Sequence, residues 1–334
     1  MSQSVVREGC PAANDLLSAL RAWDTPRVLP GLVSHWPVVQ AANTSNQALV
    51  TYLKQFDASK QVDCMHLPFA EDGRMFYNRT MTGFNFSRHR AGFCQVLDEL
   101  LQRAEQTHPD SLYIGSTSVE SCLPGFLQHN SLPLIEAEPL ATLWIGNKSR
   151  IAAHYDVPDN IICVTAGKRK VTLFAPEQVK NLYIGPLHLT PAGQAISMVD
   201  FTAPDFQRFP RFQQALDNAY TVELNPGDAL YIPSMWWHHI EGIEAVNMLV
   251  NFWWRDVPAF IGRSENTLYH ALLTLAQLPA HERKAWQALF DHYVFNPEPD
   301  QYHYIEEHAR GPLGTLDEAT IRQFKAWLVN HLKH

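Results

Sequence analysis

The chain has 334 residues, 46% of them hydrophobic and 18% charged, the composition of a folded protein with a sizeable core. Its formal net charge of −8 argues against a broad nucleic-acid-binding face, because phosphate contacts need clustered Lys and Arg. Cys10, Cys64, Cys94, Cys122 and Cys163 are scattered and odd in number, which fits free thiols rather than a disulfide framework.

The N-terminal MSQSVVREGCPAAND has no basic-then-apolar leader, and no apolar run approaches the roughly 18–20 residues of a membrane span. A cytoplasmic protein without a membrane segment is expected. DLLSALRAW (15–23) has helical spacing and is followed by the extended piece PRVLPGLV. NQALVTYLKQF (46–56) and AGFCQVLDELLQRAEQ (91–106) read as amphipathic helices. From about residue 111 the texture changes. SLYIGSTSV, ATLWIG, NIICVTAG, RKVTLFAP, AYTVEL, DALYIP and AVNMLVNFWW are short apolar or alternating runs divided by Gly, Pro and Asn. That pattern predicts an all-β sandwich or barrel. After about residue 257 helical spacing returns in TLYHALLTLAQL, AHERKAWQALFDHYVF and EATIRQFKAWLVNHLKH. The expected organisation is a helical and extended flank over 1–110 packed on the core, a β core over 111–257 and a helical region over 258–334.

Two stretches of the β region carry chemistry. In AAHYDVPDN, His154 and Asp156 are two apart, so on a strand both side chains leave the same face. An imidazole and a carboxylate together suit a divalent transition metal, and one more His would complete a facial triad with open metal positions. An HxD pair is a weak signal by itself. The second stretch is NPGDALYIPSMWWHHIEGIE (225–244), where the run Leu230–Ile232 reads as a strand leading into two tryptophans and two histidines. On a regular strand His238 and His239 face opposite sides, and parity does not say which faces the metal.

In GKRKVTLF, Arg169, Val171 and Leu173 share one face of a strand. The apolar pair marks that face as buried, so Arg169 becomes an interior guanidinium. This is costly unless an anion meets it. A carboxylate-bearing cosubstrate held by the planar fork answers the cost, as would an internal Asp or Glu or a side chain that snorkels out at the strand end.

The chain resembles the JmjC group of iron(II)- and 2-oxoglutarate-dependent oxygenases, in the branch of the asparaginyl hydroxylase factor inhibiting HIF and bacterial cupin-like proteins. The likeness runs from about residue 24 to about 295, through TPRVLPGLVSHWP, LWIGNKSRIAAHYDVPDNIICVTAGKRKVTLFAPEQ, VDFTAPDFQRFPRF and GDALYIPSMWWHHIE…VNFWW. The resemblance implies a mainly β fold with helical flanks around a double-stranded β-helix (jelly-roll/cupin) core. It implies the iron ligands His154, Asp156 and His238, with His239 as an outward or second-layer neighbour. Tyr113 and Arg169 would hold the distal carboxylate of 2-oxoglutarate, and Asn160, Asn251 and Trp253 would line the same pocket. Two positions depart from the family pattern: Arg169 stands for a lysine, and Ile151 for a threonine three residues before the first ligand.

The implied activity is hydroxylation of a C–H bond, of a protein side chain by analogy with this branch. A tRNA-base hydroxylase and a metal-binding cupin-like module without turnover are the alternatives. The tail carries Leu272, Leu273, Leu275, Leu278, Trp286, Leu289, Phe290, Tyr293 and Val294, more apolar surface than two helices need for one buried face. A homodimer through these helices is expected, with a protein or peptide substrate favoured over nucleic acid and no membrane partner.

Overall fold

The computed structural model describes residues 3–332 apart from Ala192. The chain forms two compact units, Met1–Arg255 and Asp256–His334. The strands, in order, are β1 (Gln3–Ser4), β2 (Val6–Arg7), β3 (Arg27–Leu29), β4 (Gln61–Leu67), β5 (Arg74–Met75), β6 (Ser87–Gly92), β7 (Ser111–Ser118), β8 (Leu140–Gly146), β9 (Ser149–Tyr155), β10 (Asp159–Ala166), β11 (Arg169–Phe174), β12 (Tyr220–Leu224), β13 (Ala229–Ile232), β14 (Trp237–Gly242) and β15 (Asn247–Trp254). They make a six-stranded sheet, β1-β12-β11-β14-β9-β5, and a nine-stranded sheet, β2-β3-β13-β10-β15-β8-β7-β4-β6.

From β8 to β15 the chain passes repeatedly between the two sheets, which is the double-stranded β-helix, or jelly roll. The seven apolar runs read from the sequence all lie on strands. β10 is buried along nearly its whole length, as a strand covered on both faces must be. Ile162 and Val164 face the barrel interior with Val171, Leu173, Leu230 and Leu249. Ile161 and Cys163 face outward into the larger core, with Trp36, Val38, Leu49 and Leu97 of the N-terminal helices.

Those helices form where the periodicity requires. In Phe93–Ala104, Phe93, Val96, Leu97 and Leu100 are buried on one stripe. Asn46–Lys54 is capped by Ser45, whose hydroxyl accepts from the Ala48 N–H at 3.0 Å. The first 110 residues do more than flank the core. They also supply β1 to β6, of which β4 pairs with β7 and β5 with β9.

One local expectation needs correction. The stretch 225–244 is not one continuous strand: β13 ends at Ile232, and β14 starts at Trp237 in the other sheet. Pro233 breaks the ladder, and Met235 takes φ +67° to complete the turn. The outer face of the six-stranded sheet is covered. The segment between β11 and β12 lies over it with Leu182, Val199, Phe209 and Phe212, packed on Phe174 and Trp237.

The C-terminal unit carries the helices Glu265–Thr274, Ala280–Phe290 and Glu318–His331, with a π-helical turn at Asp291–Phe295. The first two helices and that turn border an apolar groove of about 720 Å³, lined by Leu268, Trp286, Phe290 and Val294 among others. Among the described residues no helix is long and apolar enough to cross a membrane.

Candidate metal centre and adjoining cavity

β9 and β14 are hydrogen-bonded neighbours, and their register sets His154 directly opposite His238. Asp156 lies one residue past the end of β9, and its carbonyl accepts from the Met235 N–H at 2.8 Å. One ligand atom from each of His154, Asp156 and His238 lies within 4.8 Å of the others. The two imidazoles are 4.3 Å apart by ring centroids, and His238 Nε2 is 3.5 Å from Asp156 Oδ2.

The backbone sets the tautomers. His154 Nδ1 is 2.9 Å from the Ala152 carbonyl and His238 Nδ1 is 3.0 Å from the Trp236 carbonyl. A carbonyl only accepts, so each Nδ1 carries the proton and each Nε2 keeps a lone pair for a metal. Burial, with the neighbouring His238, lowers the pKa of His154 to about 4. For Asp156 burial works upward, but the neighbouring His238 outweighs it, helped by His154 and Trp253, and the pKa is lowered.

A second network fixes the two turns that adjoin these side chains. Asp159 Oδ1 accepts from Tyr231 Oη at 2.8 Å and from the Ser234 N–H at 3.1 Å. The Ser234 hydroxyl donates to the Val157 carbonyl at 2.6 Å. The turn after β9 and the turn before β14 are thereby tied into one unit.

His239 faces away from the metal group, but it is not outward. It is 5% exposed, its ring lies 4.5 Å from Phe201, and burial pushes its pKa down to about 3. This cover was not legible in the sequence, because Phe201 sits in the irregular segment before β12.

The triad opens on a cavity of about 600 Å³ in which Tyr113, Asn160, Arg169, Asn251 and Trp253 all take part. Arg169 is fully buried, and among the described residues Nε, Nη1 and Nη2 have no hydrogen-bond partner. Burial lowers its pKa; the nearby Tyr113 hydroxyl offsets part of that cost without standing in hydrogen-bond geometry. Gly242 lies opposite Arg169 in the sheet, and a Cβ there would stand 3.2 Å from Nη1. Asn251 Oδ1 accepts from Trp144 Nε1 at 2.8 Å and from the Thr142 hydroxyl, while its amide donates to Asn160 Oδ1 at 3.1 Å. Trp144 and Thr142 are members of this network that sequence reasoning missed, although Trp144 stood in view within LWIG.

Ile151 also lines the cavity, which a regular strand would not allow, since it is three residues from His154. The β9–β14 register shifts between these positions, so a bulge puts both side chains on the inner face. The donor set suits a divalent transition metal such as iron(II), and an unpartnered interior guanidinium suits a carboxylate. The residues therefore fit both groups.

A family described as a cupin-like domain matches residues 13–260, most of the chain. The chain belongs to the JmjC-type cupin-like family. It is 26% identical over 280 residues to lysine-specific demethylase JMJ31 of Arabidopsis thaliana, covering 75% of this chain and 49% of that protein. It is 35% identical over 106 residues to tRNA wybutosine-synthesizing protein 5 of Danio rerio, covering 32% and 29% of the two chains. Against HSPB1-associated protein 1 of Homo sapiens the figures are 32% over 152 residues, 44% and 30%. The chain spans about half the length of the first of these relatives and less than half of the other two.

Proposed function

We propose that this cupin-like protein is an iron(II)- and 2-oxoglutarate-dependent dioxygenase that hydroxylates a C–H bond of a protein side chain. The observation that carries the reading is Arg169: a fully buried guanidinium without a partner, in the same cavity as the triad. Such a group is costly unless an anion meets it, and 2-oxoglutarate presents a carboxylate at each end. When bound, iron and 2-oxoglutarate would supply the oxidising power, with dioxygen as oxidant and succinate and carbon dioxide as products.

The protein's part is holding and shielding. His154, Asp156 and His238 would hold the metal on one side only, leaving its other face toward the cavity. Arg169 and Tyr113 would grip the distal carboxylate, and the Thr142–Trp144–Asn251–Asn160 network would keep the adjoining wall fixed. Met65, Met75, Ile151 and Trp144 give that cavity apolar walls that exclude water. Iron-dependent conversion of 2-oxoglutarate to succinate, measured in the purified protein, tests the reading. Iron-loaded protein that binds no 2-oxoglutarate and forms no succinate would leave a metal-binding module instead.

Hydroxylation of a tRNA base is a second reading, favoured by the similarity to the wybutosine-synthesizing proteins and opposed by the net charge of −8. Modification assays on bulk tRNA separate the two. Two copies would pair through the C-terminal helices, where Leu273 is 78% exposed and Leu289, Val294 and Phe295 are exposed as well. A monomer mass by light scattering at micromolar concentration would overturn the pairing.

A further inference from the structure

We propose that the free edge of β6 docks an extended acidic segment of a polypeptide substrate, adding it as a strand to the nine-stranded sheet. The inference rests on the preceding reading, since the docked segment is the one that delivers the reacting side chain. Among the described residues β6 pairs only with β4 and ends the sheet, with Ser87, Arg88, His89 and Arg90 exposed. Its outer edge therefore offers a row of main-chain donors and acceptors, which an extended polypeptide can pair in strand register.

The edge borders the cavity. Arg88 lines the mouth together with Asp63, Met65 and Phe86, and in the β4–β6 register Arg88 stands opposite Met65. Phe84 and Phe86 are stacked at 5.2 Å, with the Arg88 guanidinium 5.4–5.7 Å from their rings. A strand laid along β6 thus passes half-exposed aromatic rings at the opening of the metal chamber.

Charge selects the occupant. Residues 76–92 hold Arg79, Arg88, His89 and Arg90 and no acidic residue, in a chain whose net charge is −8. Asp63 is the acidic side chain facing this edge, 3.9 Å from Arg90, and both are largely solvent-exposed. Lone charges can simply guard an edge against aggregation. Here the basic run coincides with the cavity mouth, which fits recruitment of an acidic segment.

The test measures fluorescence anisotropy with the whole protein and four probes: an alternating Glu-Thr decapeptide, the same peptide with every second Thr replaced by Pro, an alternating Lys-Thr decapeptide, and bulk tRNA. The Glu-Thr peptide is expected to bind and to weaken with added salt. Arg90→Glu should weaken it by about five-fold or more, and Arg90→Lys should restore it. The proline form should bind at least about five-fold more weakly, because proline removes the strand donors. Equal binding of the proline form or of the Lys-Thr peptide overturns the proposal. So does tRNA binding that Arg90→Glu abolishes while the Glu-Thr peptide fails to bind. Succinate formation without added substrate, measured in parallel, should be the same in Arg90→Glu as in the parent. Peptide binding without any succinate would sink the oxygenase reading and leave the docking edge standing.

Discussion

Two buried arginines on the six-stranded sheet make opposite arrangements. Arg150 on β9 points to the outer face and is saturated: Nε donates to the Asp72 carbonyl at 2.9 Å, Nη1 to Asp200 Oδ1 at 3.0 Å and to the Thr202 hydroxyl, and Nη2 is 3.3 Å from Asp72 Oδ2. Arg169 on β11 points inward and meets no acceptor among the described residues. The contrast separates two uses of a costly buried cation. A guanidinium satisfied within the chain ties loops to a sheet. One that the chain leaves unsatisfied is a demand for a ligand.

The largest effects are expected at His154, Asp156 and His238. His154→Ala, Asp156→Ala and His238→Ala are each expected to abolish iron binding by titration calorimetry, whereas His239→Ala retains it. The reverse result for the two adjacent histidines would put the ligand on the wrong face of β14. The arginines give a crossed pair. Arg169→Met should weaken 2-oxoglutarate binding by about 2–4 kcal/mol with little loss of folding stability. Arg150→Met should lower stability by about 1–3 kcal/mol in urea denaturation, discounted because Asp72 is half exposed, and leave the iron-loaded protein's cosubstrate affinity unchanged. If both variants lose the same quantity, the distinction fails. Asp159→Ala, which unties the two turns beside the metal group, should reduce metal affinity by about 10–100-fold without touching His154, Asp156 or His238. Gly242→Ala has the smallest expected effect: a Cβ 3.2 Å from Arg169 Nη1 should cost about 1 kcal/mol of cosubstrate binding.

The readable parts of the sequence were those where one residue pattern served one physical demand. β10, β11, β13 and β15 have apolar runs because both their faces are covered or their inner face is core. The helix over Phe93–Ala104 shows its buried stripe directly. What was not legible had a mixed cause. β9 (SRIAAHY) carries ligand, salt-bridge and cavity residues around a bulge, so no alternation survives to mark it. β6 (SRHRAG) is an exposed edge without an apolar face. The burial of His239 depends on Phe201 in a segment with no period at all. Within the cavity, Arg169 was legible because Val171 and Leu173 declare its face, while the Thr142–Trp144–Asn251 network depends on cross-strand neighbours that only the fold supplies.

The pairing of β9 with β14 also governs how the molecule must assemble. His154 and His238 are adjacent in space but lie on strands separated by all of β10 to β13, and β1, formed by Gln3 and Ser4, pairs with β12. Sheet neighbours so remote in the chain make for slow folding, because long loops must close before any contact rewards them. On a ribosome the metal group therefore has no existence until the chain has been made past Gly242. On the proposed function, iron uptake would be a clock for the closing of the jelly roll: its onset in a refolding experiment would mark the moment when β9 and β14 have paired.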